Sequence, residues 1–295
     1  MTIRSDFIVA GVDGSEAALD AARWAAAEAD RRHCELRLVH AYAVPATLGY
    51  PDYATYPDEL APIMREEGER VVGRLAVELR DTHPDLAVTT RVLEQHPVLA
   101  LRSESEHALL TVVGSDHAGR FNSVLLGSVA LAIASTNTAP VAVIHAGQTQ
   151  RDSGPVVVGV DGTHTSDAAI AFAFGEASVR GADLVAVLAW NDLSVPVTHR
   201  MKDLMDPARI EQEERALLAE RTAGWADKFP DVRVVRTLVE GRAVGALLDH
   251  SGDAQLLVVG SHGRGGFTGM LLGSTSHSLI IHSTCPVVVV RPGTD

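Results

Sequence analysis

Two cysteines stand in 295 residues, Cys34 and Cys285, and no C-x-x-C pair is among them. A disulfide framework and a thiolate metal site are thereby excluded, and both thiols are expected reduced and partly buried. Aromatic residues make up only 4% of the chain, so Val, Ile, Leu and Ala must fill the interior, which suits buried parallel strands. No apolar run approaches the roughly 18 residues of a membrane span, and the opening MTIRSDFIVAGVDG has no signal-peptide core, its apolar run reading as a first strand. The expectation is a cytoplasmic protein without a membrane partner. Cations are in deficit, 25 Lys and Arg against 38 Asp and Glu, a formal charge of −13. Nucleic acid is a poor partner for such a chain, because its affinity rests on cationic contacts to phosphates. A single nucleotide stays open, since backbone N–H groups can hold phosphates locally.

Catalytic signatures are missing too. There is no H-E-x-x-H, no G-x-S-x-G elbow around Ser128 or Ser274, no G-x-G-x-x-G and no P-loop lysine motif. Thirteen histidines show no ligand spacing; only His117 and His262 fall in loops where an imidazole would reach a phosphate. No catalytic residue and no metal ligand is assigned.

What is present is a glycine loop after an apolar run. Leu256–Val259 stops at Gly260, and Ser261, His262, Gly263, Arg264, Gly265 and Gly266 follow. Nine residues after Gly263 comes Gly273-Ser274, then Thr275 and Ser276 at the start of a helix-like segment. A strand feeding glycines and a hydroxyl-rich helix start is built to receive an anion, which needs close approach to backbone N–H groups and the positive end of a helix dipole. The plan recurs: Gly260 lies 146 residues after Gly114, and Ser115, Gly119, Arg120, Gly127, Ser128 and Val129 form the matching stretch. Upstream, Val157–Gly162 repeats Val9–Gly14 with an offset of 148, so that Gly159 and Asp161 answer Gly11 and Asp13. Halves of this size mean a duplicated domain. Domains are expected at 1–145 and 155–295, with a polar linker at 146–154.

In each half, short apolar runs alternate with helical patterns. The expected elements are strands Phe7–Val12, Glu35–Ala41, Leu86–Leu93, a fourth ending at Gly114, and Val141–Ile144, with helices Glu16–Arg32 (capped by Ser15), Asp58–Asp81, Val98–Ser105 and one from Gly127-Ser128. The second half is read as Val156–Val160, Ser166–Arg180, Leu184–Trp190, Asp206–Phe229, Val232–Val239, Ala243–His250, Leu256–Val259, a helix and Val287–Val290. That alternation implies an α/β fold with a parallel sheet and right-handed crossovers, and ligands at the carboxyl rim where strand order reverses. Tyr42–Pro57 holds all four tyrosines. They cap the sheet edge or contact a ligand's base; both readings stand. The last strands, Val141–Ile144 and Val287–Val290, are edges that tend to pair or be covered.

The VGVDG turn, the G-x-x-G-x9-G-S loop and the final strand after Ala139-Pro140 or Cys285-Pro286 resemble the universal stress protein family, twice over and across almost the whole chain. The resemblance implies two tandem Rossmann-like domains of the adenine nucleotide alpha hydrolase-like type, each a five-stranded parallel sheet in order 3-2-1-4-5 flanked by helices. It also implies ATP, with or without Mg²⁺. Asp13 and Asp161 would lie by the nucleotide, Gly11 and Gly159 under its base or ribose, the Gly260–Ser276 stretch on its triphosphate, and Asp192 near base or sugar. Domains pairing through their last strands, a homodimer and further protein partners are implied as well. His117 stands where the second half has Gly263, and a side chain at a φ > 0 position costs about 1–2 kcal/mol. Two sites of unequal affinity are therefore expected, the C-terminal one tighter. The function so implied is a cytosolic, ATP-binding stress-response regulator with at most slow hydrolysis. The alternatives are an ATP hydrolase or adenylyl transferase of the same superfamily, and an interaction scaffold with a vestigial N-terminal site.

Overall fold

The computed structural model describes residues 6–44, 57–115, 127–148, 151–190, 206–263 and 272–292, the side chains of 57–59 apart. The chain divides into two compact units, Met1–Gly147 and Gln148–Asp295.

In the first unit, β1 (Phe7–Gly11) leads to α1 (Glu16–Arg31), β2 (Glu35–Tyr42), α2 (Pro57–Thr82), β3 (Val88–Glu94), α3 (Pro97–Glu104), β4 (Leu110–Ser115), α4 (Ser128–Thr136) and β5 (Val141–His145). Parallel pairing of β1 with both β2 and β4 gives the order β3-β2-β1-β4-β5. Order therefore reverses between β1 and β4, and the carboxyl ends of those two strands open the crevice. Ile8, Val9 and Ala10 are fully buried because helices cover both faces of the sheet. Helix α1 lies close to it by presenting small residues: Ala18, Ala21, Ala22, Ala25, Ala26 and Ala29 are all buried.

The second unit repeats this with β6 (Val156–Val160), α5 (Asp167–Arg180), β7 (Leu184–Trp190), α6 (Pro207–Ala226), β8 (Val234–Glu240), α7 (Ala243–Ser251), β9 (Leu256–Gly260), α8 (Ser274–His282) and β10 (Val287–Val290). Its own order is β8-β7-β6-β9-β10.

Most boundaries lie within one or two residues of the sequence reading, and three of the differences have a visible cause. Strand β4 continues through Gly114 to Ser115, because the ladder with β5 extends to Ser115 opposite His145. Helix α6 ends at Ala226 instead of Phe229; the Lys228 and Phe229 amides both turn back to Trp225 O, and the Phe229 ring stacks 5.9 Å from Phe174. Helix α5 starts one residue later than expected, after a 3-10 turn over His164–Ser166. Most of the tyrosine loop, residues 45–56, lies outside the described residues; Tyr42 itself ends β2 and is buried.

The expected linker is partly structure. The Gly147 amide donates to Asp20 Oδ2 at 2.9 Å and so belongs to the first unit. Arg151 donates to the carbonyls of Gly252 and Ala254, and Gln255 Nε2 donates to Gly154 O at 2.8 Å, which ties the run into Pro155 to the second unit. No helix among the described residues is long and apolar enough to cross a membrane.

Candidate functional site

Each rim begins with the turn after the first strand. Asp161 Oδ1 accepts the Thr163 N–H at 2.8 Å, and the glycine between them has φ +77°, a value that only glycine holds without strain. In the first unit, Asp13 Oδ1 accepts the Ser15 N–H at 2.9 Å across Gly14, φ +88°. Both aspartates are thus first of all turn formers. Ser15 then caps α1, its Oγ accepting the Ala18 N–H at 3.2 Å as the sequence predicted.

Ser15 Oγ donates to Asp13 Oδ1 at 2.6 Å, as Thr163 does to Asp161, but the second unit adds one hydroxyl that the first lacks, that of Thr165. Thr163 Oγ1 donates toward Asp161 at 2.8 Å, and Thr165 Oγ1 donates to Asp161 Oδ2 at 3.2 Å. Thr165 answers Ala17 of the first unit by the 148-residue offset. Across the crevice stands Gly263: a Cβ placed there would lie 3.7 Å from Asp161 Oδ2. Two motifs 102 residues apart in sequence are therefore in side-chain contact range at one rim.

Gly263 is not among the glycines of positive φ. The expectation that a side chain at this position would be strained by its backbone does not hold for the second unit. What a larger residue would do there is fill the space beside Asp161.

Gly273 closes the loop. Its N–H donates to Ser261 O at 2.7 Å, and a Cβ on it would come 3.2 Å from that oxygen and 3.4 Å from His262 Cα. Helix α8 begins immediately after, with Gly273 as N-cap and no side chain capping it. An unserved first turn leaves N–H groups and the positive end of the dipole facing the crevice, where exposed Ser274 and half-buried Thr275 stand.

Two candidates are turned to structural use. Ser276 is buried and donates its one hydroxyl proton to Gly260 O at 2.6 Å, so it has no proton for a phosphate. Ser261 is buried with Oγ 3.1 Å from His262 Nδ1 and its N–H on Val290 O, which ties β9 to β10 instead of facing a ligand.

Gly11 and Gly159 have a packing reason of their own. A Cβ at Gly11 would meet Leu101 of α3 at 3.1 Å, and one at Gly159 would meet Leu247 of α7 at 3.0 Å. The first unit brings together less among the described residues. Gly114 lies under α1, where a Cβ would fall 2.4 Å from the Ala17 carbonyl. Among the described residues Ser115 Oγ is buried without a partner, and Ala130 takes the place of Ser276. Gly127 caps α4 without a side chain, with Ser128 exposed and Val129 half-buried behind it. Gly119, Arg120, Asp192, Arg264, Gly265 and Gly266 lie outside the described residues, as does His117. Sequence reasoning missed Thr163 and Thr165, although D-G-T repeats D-G-S and Ser15 had already been read as a cap.

No group of three or more His, Cys, Asp or Glu side chains able to hold a metal occurs among the described residues. Asp161 would hold a divalent cation only together with ligands from a bound phosphate, which is the usual arrangement for Mg²⁺.

Comparison with known proteins bears on both halves. The model of the universal stress protein family matches residues 6–145 and again 153–291. A universal stress protein of Mycolicibacterium smegmatis is 40% identical over 296 residues, covering 97% of each chain. One from Mycobacterium tuberculosis strain H37Rv is 38% identical over 290 residues, covering 96% of each. Among solved structures, a universal stress protein from Archaeoglobus fulgidus superposes with a TM-score of 0.71 at 21% identity, over 98% of this chain and 99% of that one. That likeness speaks to the fold.

Proposed function

This chain belongs to the universal stress protein family, and from that premise we propose that its second unit binds an adenine nucleotide, ATP foremost, to serve a nucleotide-responsive regulator. The observation that carries the reading is the meeting of Asp161 Oδ2 and Gly263 beside the uncapped start of α8. The phosphates go to the α8 end, because N–H groups and dipole favour negative charge there. The Asp161 carboxylate repels phosphate and so takes ribose hydroxyls or a phosphate-bound Mg²⁺. Gly263 is small because a side chain would occupy the space between them. The first unit carries a second, weaker site, with Ala17 in place of Thr165 and α1 pressed onto Gly114. Bound nucleotide favours one arrangement of the rim loops and so alters the surface offered to a protein partner, to the extent of its differential affinity. A cytoplasmic location and self-association of chains go with this reading.

The test is the nucleotide released per chain on heat denaturation of freshly purified protein, followed by calorimetric titration with ATP. Near-stoichiometric ATP and two unequal sites are expected. Gly263→Val should weaken the tighter site at least tenfold while leaving the urea midpoint unchanged. Accumulation of ADP in the native protein would move the reading to a hydrolase. No nucleotide released, and none bound on titration, would leave the scaffold reading.

A further inference from the structure

The β6–α5 turn that carries Thr163 and Thr165 is held from outside the site by an arginine on α6. Registers in the two sheets fix the correspondence: Leu36 pairs Val88 in the first unit, and Leu184 pairs Val234 in the second. The β3 to β8 offset is therefore 146, and carried back into the preceding helix it sets Ala76 against Thr222, both buried. It also sets Leu75, a core residue at 2% exposure, against Arg221.

Arg221 does not point to solvent. Its side chain is 19% exposed, and its Nε is buried without an acceptor among the described residues. Nη1 lies 3.0 Å from His164 Nδ1 and 3.6 Å from Asp167 Oδ1, at the start of α5. His164 Nδ1 is also 3.0 Å from Asp167 Oδ2. One ring nitrogen cannot accept from Arg221 and donate to Asp167 at once, but either choice keeps the guanidinium on the turn.

An orphaned Nε–H in a position that takes leucine in the sister unit is a cost to folding. Its use lies at the turn: α5 begins at Asp167 with Ser166 giving no side-chain cap, and Thr163 caps only the 3-10 segment before it, through the Thr165 N–H at 3.3 Å, whereas Ser15 caps α1 directly. The turn is also spread over a 3-10 segment, so that the Thr165 carbonyl stands 3.6 Å from a Cβ built on Gly260, against 2.4 Å for the Ala17 carbonyl at Gly114. We infer that Arg221 is a positioning residue for the second unit's site: it braces the His164–Asp167 turn, which in turn aims Thr163 and Thr165 at Asp161 and keeps the crevice over Gly260 open. This rests on the nucleotide reading for its consequence, though not for the brace itself.

The test uses Arg221→Leu, the sister unit's residue, and Arg221→Lys in the full chain. Three readouts are taken: amide hydrogen exchange of residues 163–167 without ligand, the urea midpoint, and ATP affinity. Arg221→Leu should speed exchange in the turn at least tenfold and weaken ATP about tenfold, with a midpoint no lower than wild type. Arg221→Lys, which keeps the charge beside Asp167, should recover part of both. Unchanged exchange in Arg221→Leu overturns the brace. A fall in affinity matched by a lowered midpoint, or restored by no cation, assigns Arg221 to general stability and overturns it as well. If the wild-type chain binds no ATP, the nucleotide reading fails and the exchange result alone decides the brace.

Discussion

Gly114 and Gly260 occupy the same place in the repeat, yet they are glycines for different reasons. At Gly114 a methyl group would sit 2.4 Å from backbone atoms of α1, which cannot move without shifting the helix. At Gly260 the nearest neighbour of such a methyl is His262 O at 3.2 Å, in a loop. Gly114→Ala should therefore cost about 1–3 kcal/mol or more by overpacking, and Gly260→Ala less than about 1 kcal/mol, read from urea unfolding. The sequence showed both glycines and assigned both to phosphate; it could not show that one lies under a helix. Cys34 gives a second prediction at this scale. Burial pushes its thiol up to about 11 from an ordinary 9.0. The folded chain then holds the thiol proton more tightly than the unfolded one. Its stabilising contribution is whole below pH 9 and is lost as pH rises toward 11. The loss of stability between pH 8.5 and 10.5 should be smaller in Cys34→Ala than in wild type, by denaturant titration at each pH.

At the scale of elements, α1 and α5 each bury a glutamate at a position related by the 148-residue offset. Glu176 bonds Arg180 at 3.0 Å with side chains 0% and 1% exposed. Glu28 is equally buried but shares two arginines, Arg31 and Arg32, that remain 23% and 19% exposed. Breaking the enclosed pair exposes more of the desolvation cost than loosening the shared one. Arg180→Ala should lower stability by about 3–5 kcal/mol and Arg32→Ala by clearly less, measured as shifts in urea midpoint at constant slope. Element type was legible in the sequence nearly throughout, since β-runs and helical stripes differ in period. The late start of α5 was not, because it follows from a 3-10 segment capped by Thr163, whose Oγ1 accepts the Thr165 N–H at 3.3 Å.

At the scale of the whole molecule, the two units share a topology but differ at the rim. Asp161 gathers Thr163 and Thr165 and faces Gly263; Asp13 is bonded by Ser15 alone among the described hydroxyls. Saturating ATP should therefore protect the second unit preferentially. At a hundredfold excess over Kd, binding adds about 2.7 kcal/mol to the stability of the unit that holds it. Hydrogen exchange with and without ATP should show the gain in residues 156–190 and 256–290 before the matching segments of the first unit. The charge of −13 carries its own expectation: no retention of duplex DNA in a filter assay, even at low salt.

The sequence by itself determined the duplication, the α/β class, the strand and helix order and the rim on which the glycine motifs fall, because each follows from periodicity, glycine spacing and the offset between halves. Only the tertiary structure decided which of the marked residues face the crevice. Ser276 and Ser261 carry the right chemistry at the right spacing, but a hydroxyl has one proton to give, and theirs are taken up within the fold or turned toward His262. Thr165 and Arg221 carried no motif, and their part emerges only when α6, the β6 turn and the β9 loop are brought within a few ångströms of one another. Side-chain direction and competition for hydrogen bonds are properties of the folded neighbourhood, which no spacing along the chain encodes.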